Sequence, residues 1–485
     1  MKTINIKKLA VLPLALGLIF TSCKRYSSDF GDTNVNPGVT GSPLFNALLT
    51  NSLVATPGYA AQTRGGLYCQ YFSETQYPDV SQYSIPQINF EGNYSGVLND
   101  LQNIINNGPN DNMKGVSRIL KAYIFSTITD SWGDVPYSQA LSGNGTPAFD
   151  RQSDIYTGLL TELTAAVNQL GGTGAITGDI VYGGNVAKWQ KFGNSLRLRL
   201  AIQISKKFPT AGQYASTQFN AALTHPAGII SSNADNFTVV YPGGNFSSPW
   251  WGLYNGRRDF GESEPMTNLM ASFGDGRQAA FGGKTEDQST SNPDWNQSSA
   301  QGVPYGRARA FVDPWTSANP SWARVLRGDF RTQTGSVVVL SAAETFLHRA
   351  EAADRGWTAE NMTSMYQQGI TASFAQWGLA APSAGYFSQT NVNLANPAGT
   401  AANIRAIAIQ QYIAGYPDGQ RGWNIWRRTG FPVLTPAPDA TNTSRQIPQR
   451  YTYGQTSYGS NTANVTAAAS AIGGDNQDTK VWWAQ

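Results

Sequence analysis

Apolar residues recur at helical spacing through much of the chain. Tyr94, Val97, Leu98, Leu101, Ile104 and Ile105 follow at steps of three or one, the spacing that puts side chains on one helix face. Val116, Ile119, Leu120, Tyr123 and Ile124 repeat the pattern, as do Ile155, Leu159, Leu160, Leu163 and Val167. A fourth stripe runs from Trp189 through Phe192 and Leu196 to Leu200. Ser341-Ala342-Ala343-Glu344 has the form of a capping box, and the helix it opens should bury Phe346, Leu347 and Ala350. Two more helices are expected over 362–374 and 404–412. Helices of this length, joined in pairs, predict a mainly α fold. Its hairpins would stack as a tetratricopeptide-like scaffold, although no 34-residue period repeats. The stretch 226–335 breaks the pattern. It is rich in Gly, Pro, Asn, Ser and Trp, and is expected as long irregular loop insertions. The tail 431–485 is expected to be irregular too, with the terminal pair Trp482-Trp483 packed on the body.

The first residues follow another logic. Lys2, Lys7 and Lys8 precede an apolar run from Leu9 to Phe20, then Thr21-Ser22-Cys23. That run is shorter than the roughly 20 residues a membrane helix needs, and it reads as a secretory signal. A cysteine directly after the small residues marks a lipobox. The expected division is a lipoprotein signal peptide 1–22, lipidation at Cys23, a flexible polar tether 23–42 and a single domain 43–485. Cleavage removes three lysines, which leaves 31 basic against 31 acidic residues. A neutral chain of low charge offers no case for nucleic acid. Lipid on Cys23 leaves Cys69 alone, so no intramolecular disulfide can form. Cys69 lies in an apolar stretch and is expected as a buried, inert thiol.

Catalytic chemistry is poorly provided for. His225 and His348 are the only histidines, which argues against histidine metal sites and Ser-His-Asp triads. A glycoside hydrolase needs two carboxylates across a cleft, and no acid pair stands in such a frame. Asp130 and Asp134 are close in sequence, but at a helix end where capping explains them. Asp475-Asn476-Gln477-Asp478 offers oxygen ligands for a structural calcium without the spacing of an EF-hand loop, and no cofactor is expected.

Several blocks resemble the SusD/RagB family of nutrient-binding outer-membrane lipoproteins, in its SusD-like branch. They are Asp32-Thr33-Asn34-Val35-Asn36-Pro37, Thr129 to Ala140 around Trp132-Gly133-Asp134-Val135-Pro136-Tyr137, Trp189 to Arg199, Phe346 to Ala352, Trp426-Arg427-Arg428-Thr429-Gly430-Phe431-Pro432 and Thr479 to Trp483. They occur in family order over nearly the whole mature chain. The resemblance implies a helical scaffold with long insertions that build the ligand face. It also implies a non-enzymatic role as lid of a SusC-like TonB-dependent transporter, delivering glycans or, in some members, peptides. The residues after Cys23 are Lys24-Arg25-Tyr26-Ser27-Ser28, in place of the acidic run that often marks surface export in this group.

The shared blocks read as scaffold. Trp132 and Tyr137 should pack on the next hairpin, and Arg197 and Arg199 should pair with acids or carbonyls between hairpins. Arg427 and Arg428, beside Trp423 and Trp426, are expected as scaffold, with stacking on a substrate as the competing role. A sugar site needs flat rings for CH faces and a few polar groups for hydroxyls. Two stretches outside the blocks offer both. One carries Tyr77, Asp79 and Tyr83; the other carries Trp250, Trp251, Tyr254, Trp295, Asn296, Trp315 and Trp322. These ten are the expected ligand-binding residues, with core packing as the competing role of each Trp. If 250–251 is extended, at most one of its two rings faces a ligand. The leading expectation is oligosaccharide capture. Peptide capture, a surface hydrolase and a structural envelope lipoprotein are the alternatives.

Overall fold

The helical stripes close on one another. In the computed structural model, which describes residues 44–394 and 398–485, the main helices run in this order. The first group is α1 (Phe45–Ala55), α2 (Asn99–Asn107), α3 (Asp111–Trp132), α4 (Gln152–Gln169), α5 (Val186–Gln203) and α6 (Tyr214–Leu223). Then come α7 (Glu264–Phe273), α8 (Arg309–Ala318), α9 (Ala342–Asp354), α10 (Met362–Gln376), α11 (Ala401–Gly415), α12 (Gly419–Thr429) and α13 (Thr462–Ala471). Successive helices from α2 to α6 pack side by side, and so do α9 with α10 and α11 with α12. The α9–α11 contact joins these two pairs, and the α5–α9 contact joins them to the first series. Phe45–Gln485 forms one compact unit. The architecture is mainly α and tetratricopeptide-like, as the periodicity predicts. The signal peptide, Cys23, the tether and the Asp32–Pro37 block lie outside the described residues.

Close approach explains two glycines. A Cβ on Gly193 of α5 would come within 2.5 Å of Val167 on α4 and 2.9 Å of Ile119 on α3. A Cβ on Gly419, at the start of α12, would lie 2.0 Å from the Gly66 backbone nitrogen in the short helix Thr63–Tyr68. Cys69 follows that helix, fully buried, and burial pushes its thiol up, consistent with an inert role.

Ion pairs clamp the hairpins. Arg199 of α5 donates from Nε (2.5 Å) and Nη2 (2.7 Å) to Glu344 of α9. Ser341 caps α9 by accepting from Glu344 N (3.2 Å), but the Glu344 carboxylate turns to Arg199, so only half the expected capping box forms. Arg427 stacks on Trp423, 3.5 Å from the ring centroid, and donates to the carbonyls of Asp130 (2.7 Å) and Gln449 (2.9 Å). Trp483 is buried, and its Nε1 donates to Asp130 (2.9 Å), which seats the C-terminus on α3. Asp134 accepts from Gln152 N (2.9 Å) at the start of α4. Both acids of the Asp130–Asp134 pair are therefore structural. Asp475 is held by Arg450 (2.6 Å), while Asp478 accepts from Ser444 (2.8 Å).

The structure departs from the periodicity in several places, and α1, α6 and α12 form where no stripe is named. The helix expected over 94–105 is a π-turn, Tyr94–Leu98, followed by α2, because Gly96 takes a non-helical conformation. The stretch 226–335 contains α7 and α8. Helix α7 is set by local chemistry rather than a stripe, with Ser263 as N-cap, Pro265 in the first turn and Gly274 in the left-handed region at its end. The tail contains α13, whose buried residues are only Val465, Ala468 and Ala469, too small to show as an apolar face.

Candidate functional site

Two loops that carry predicted site residues are brought together by a short antiparallel ladder. Strand Phe72–Glu74 pairs with Phe260–Glu262 in the register Phe72–Glu262 and Glu74–Phe260. Beyond it, Thr75 N donates to the Asp259 carbonyl (2.8 Å), and Thr75 Oγ1 donates to the Arg258 carbonyl. The loop 75–83 thus runs beside 251–259. Its return is fixed by Glu74, 7% exposed, whose Oε2 accepts from Ser81 N (2.7 Å) and Ser81 Oγ (2.8 Å). Burial pushes the Glu74 carboxyl up to about 7, against the lowering effect of those bonds. Tyr77 stands at the tip, 54% exposed, with the Arg309 guanidinium 5.7 Å from its ring centroid.

The two tryptophans are separated by a helical turn, Pro249–Gly252. Successive residues there point about 100° apart. Trp250 enters the core at 3% exposure, while Trp251 stays half-buried at the surface. Gln288 Nε2 donates to the Trp251 carbonyl (3.1 Å), which ties on a third wall, 286–289. Behind it, Arg324 pairs with Glu286, and Arg331 stacks on Tyr254, 4.4 Å from the ring centroid.

The result is an open cleft of about 890 Å³. Its walls are Gln76 and Tyr77; Trp251 and Tyr254 to Asp259; and Glu286 to Ser289. Arg257 is paired with Asp259, Nε to Oδ2 at 2.6 Å, whereas Arg258 is exposed. Asp287 accepts from Asn292 Nδ2 (2.8 Å) and Ser289 N (2.8 Å), and these bonds hold its carboxyl below the usual range. Exposed rings therefore flank amides, guanidinium groups and carboxylates.

Of the ten expected ligand-binding residues, three line this cleft: Tyr77, Trp251 and Tyr254. Tyr254 is 4% exposed, donating to the Phe260 carbonyl (2.8 Å) and accepting from Val325 N (2.7 Å), so it braces the wall more than it presents a face. Three expectations are corrected by burial. Tyr83 is packed inside, its hydroxyl accepting from Ala437 N (2.9 Å). Trp250 is in the core, and Trp322 is buried with Arg324 stacked on it at 3.6 Å. These rings have no open face for a sugar. Asp79, Asn296, Trp295 and Trp315 lie at the surface but outside the cleft, Trp295 backed by Gly328. Sequence reasoning missed Gln76, Asn255, Arg257, Arg258, Glu286 and Gln288. The one available cue was the polar run Asn255-Gly256-Arg257-Arg258-Asp259 directly after the tryptophan pair, with Gly256 at φ 71° turning the chain.

Comparison with known proteins fits this architecture. No curated protein matches the chain. Among solved structures, a chitin-binding SusD homolog from Flavobacterium johnsoniae is 26% identical, with a TM-score of 0.76, over 91% of this chain and 97% of its own. A SusD homolog from Bacteroides uniformis ATCC 8492 is 26% identical, with a TM-score of 0.75, over 92% and 100%. One from Bacteroides ovatus ATCC 8483, at 21% identity and a TM-score of 0.75 over 91% and 99%, shares the fold. A SusD-like family described as starch-binding and associating with the outer membrane matches residues 35–454. With helical scaffold, surface cleft and a match over most of its length, the chain belongs to this SusD-like family.

Proposed function

We propose that this chain is a cell-surface lipoprotein, lipidated at Cys23, that captures oligosaccharide and delivers it to a SusC-like TonB-dependent transporter in the outer membrane. The cleft carries the capture step. Tyr77 and Trp251 offer rings to the CH faces of a sugar, while Gln76, Asn255 and Gln288 offer amides to its hydroxyls. The chitin-binding relative at 26% identity supports a glycan ligand. The cleft acids favour binding over hydrolysis. Asp259 is paired with Arg257, Glu286 with Arg324, and Asp287 is held ionised, whereas a general acid needs a raised pKa.

A glycan panel including chitin and starch oligosaccharides tests the reading on the mature protein. Saturable binding without product is the expected result; turnover sinks it, and binding confined to peptides moves the ligand class. Trp251→Ala and Tyr77→Ala should each weaken glycan binding by about 1 to 3 kcal/mol, roughly 5- to 150-fold. Phe246→Ala, an exposed ring outside the cleft, serves as the control. For the anchor, Cys23→Ala should abolish lipid labelling and release the protein from the membrane fraction.

A further inference from the structure

Between α3, α5, α9 and α12 lies a second cavity, of about 40 Å³, away from the cleft. Its lining includes Gln203, Arg199, Glu344, Asp418, Arg421 and Arg428. Four buried side-chain atoms of the lining residues lack a hydrogen-bond partner among the described residues: Gln203 Nε2, Arg421 Nε, Arg421 Nη2 and Arg428 Nε. All four are donors, and no lining acceptor is left in that state. Arg421 is the sharpest case. It reaches Glu344 only through Nη1 (3.3 Å). Its Nε–Nη2 edge, the edge that Arg118 turns on Glu162 at 2.7 and 2.8 Å, meets no acceptor.

The charges lean the same way. Arg428 is matched by Glu351, with Glu351 also shared by Arg355. Arg199 and Arg421 both turn to the single carboxylate Glu344. Burial pushes Asp418 up to about 7, while His348, held down near 3 chiefly by burial, stays neutral. The lining is thus rich in unmatched donors, with two guanidinium groups sharing one carboxylate. A buried charge without a counter-charge is costly, and a donor without an acceptor adds to that cost.

We propose that this cavity binds one small monovalent anion of chloride size, held by the free edge of Arg421 with Gln203 and Arg428 beside it. The volume admits one such ion with a water or two. Its place at the junction of the two helical series makes it a structural ligand, independent of the glycan cleft.

Melting temperature should be measured at constant ionic strength while gluconate is exchanged for chloride. It should rise by roughly 1–2 °C for each tenfold of chloride above the dissociation constant. Gln203→Glu places a carboxylate among the donors, and should melt higher in gluconate and lose the chloride response. Crystals of the unaltered protein grown in bromide should show an anomalous peak beside Arg421. Equal melting in both salts with no peak overturns the proposal, as does a chloride response that survives unchanged in Gln203→Glu.

Discussion

Glu351→Ala is expected to lower the free energy of unfolding by roughly 3 to 5 kcal/mol, the cost of leaving a buried charge without its partner. Glu351 is 1% exposed on α9 and ties three helices. It accepts from Arg428 Nη2 of α12 (2.8 Å) and from Gln411 Nε2 of α11 (2.8 Å), and pairs with Arg355 (2.8 Å). Without the carboxylate, Arg428 keeps only neutral acceptors, Ser205 Oγ (3.2 Å) and Gln411 Oε1 (3.0 Å). The flanking arginines hold the Glu351 carboxyl well below its usual range against the effect of burial. A lowered native pKa contributes stability above the unfolded pKa and loses it as pH falls. The deficit of the variant should therefore be full at pH 7 and shrink toward pH 3. Urea unfolding at both values measures this. Removing both partners, Glu351→Ala with Arg428→Met, should recover part of the loss, because the stranded charge goes as well. A deficit below about 1 kcal/mol at pH 7 would show that the cluster contributes little.

That cluster was only partly legible in the sequence. Helices α4 and α10 bury one face each, whereas α3, α5 and α11 are buried nearly all round over much of their length. All five still show helical spacing of apolar residues, and their existence needs no knowledge of the partner. Which acid meets which arginine depends on how the hairpins stack. The pairing of Arg199 with an acid or carbonyl was foreseeable, but Glu344 as its partner, and the pairing of Arg428 with Glu351, were not. The cleft follows the same rule. Tyr77 and Trp251 were readable as aromatic loop residues. Trp250 and Trp322 looked equivalent to Trp251, and composition cannot separate them. One helical turn decides between Trp250 and Trp251, and the partner Arg324 decides Trp322. Tyr83 is a similar case, drawn inward by a hydrogen bond from Ala437, 354 residues away in sequence. Arg257, Arg258 and Glu286 carry no local signature of a site, since the ladder that assembles them joins residues nearly 190 apart.

Glu262→Gln is expected to remove a large part of the stability loss that the fold suffers between about pH 5 and pH 9. Glu262 is fully buried in the strand that pairs with Phe72–Glu74. Its Oε2 accepts from Gln278 Nε2 (2.7 Å), and Oε1 has no partner among the described residues. Among the described residues no cation lies beside it to offset burial, which pushes its carboxyl up to about 8. A raised native pKa works opposite to the case of Glu351. The neutral acid is the form the fold accepts, so its contribution is intact below the unfolded pKa near 4.5 and is lost as pH rises through about 8. At about 1.4 kcal/mol per pKa unit the loss amounts to roughly 4 kcal/mol between pH 4 and pH 9. Glu74, pushed up to about 7, adds a smaller loss of the same sign at the other end of the same ladder. The neutral Gln keeps the shape and the polar contact without ionising. Chemical unfolding should place Glu262→Gln within about 1 kcal/mol of the parent at pH 5 and well above it at pH 9. Parallel stability curves for the two proteins would mean that water reaches the carboxylate and that burial does not control it. Because the ladder aligns the walls bearing Tyr77 and Trp251, glycan affinity should fall as pH rises through about 8 in the parent and less so in the variant.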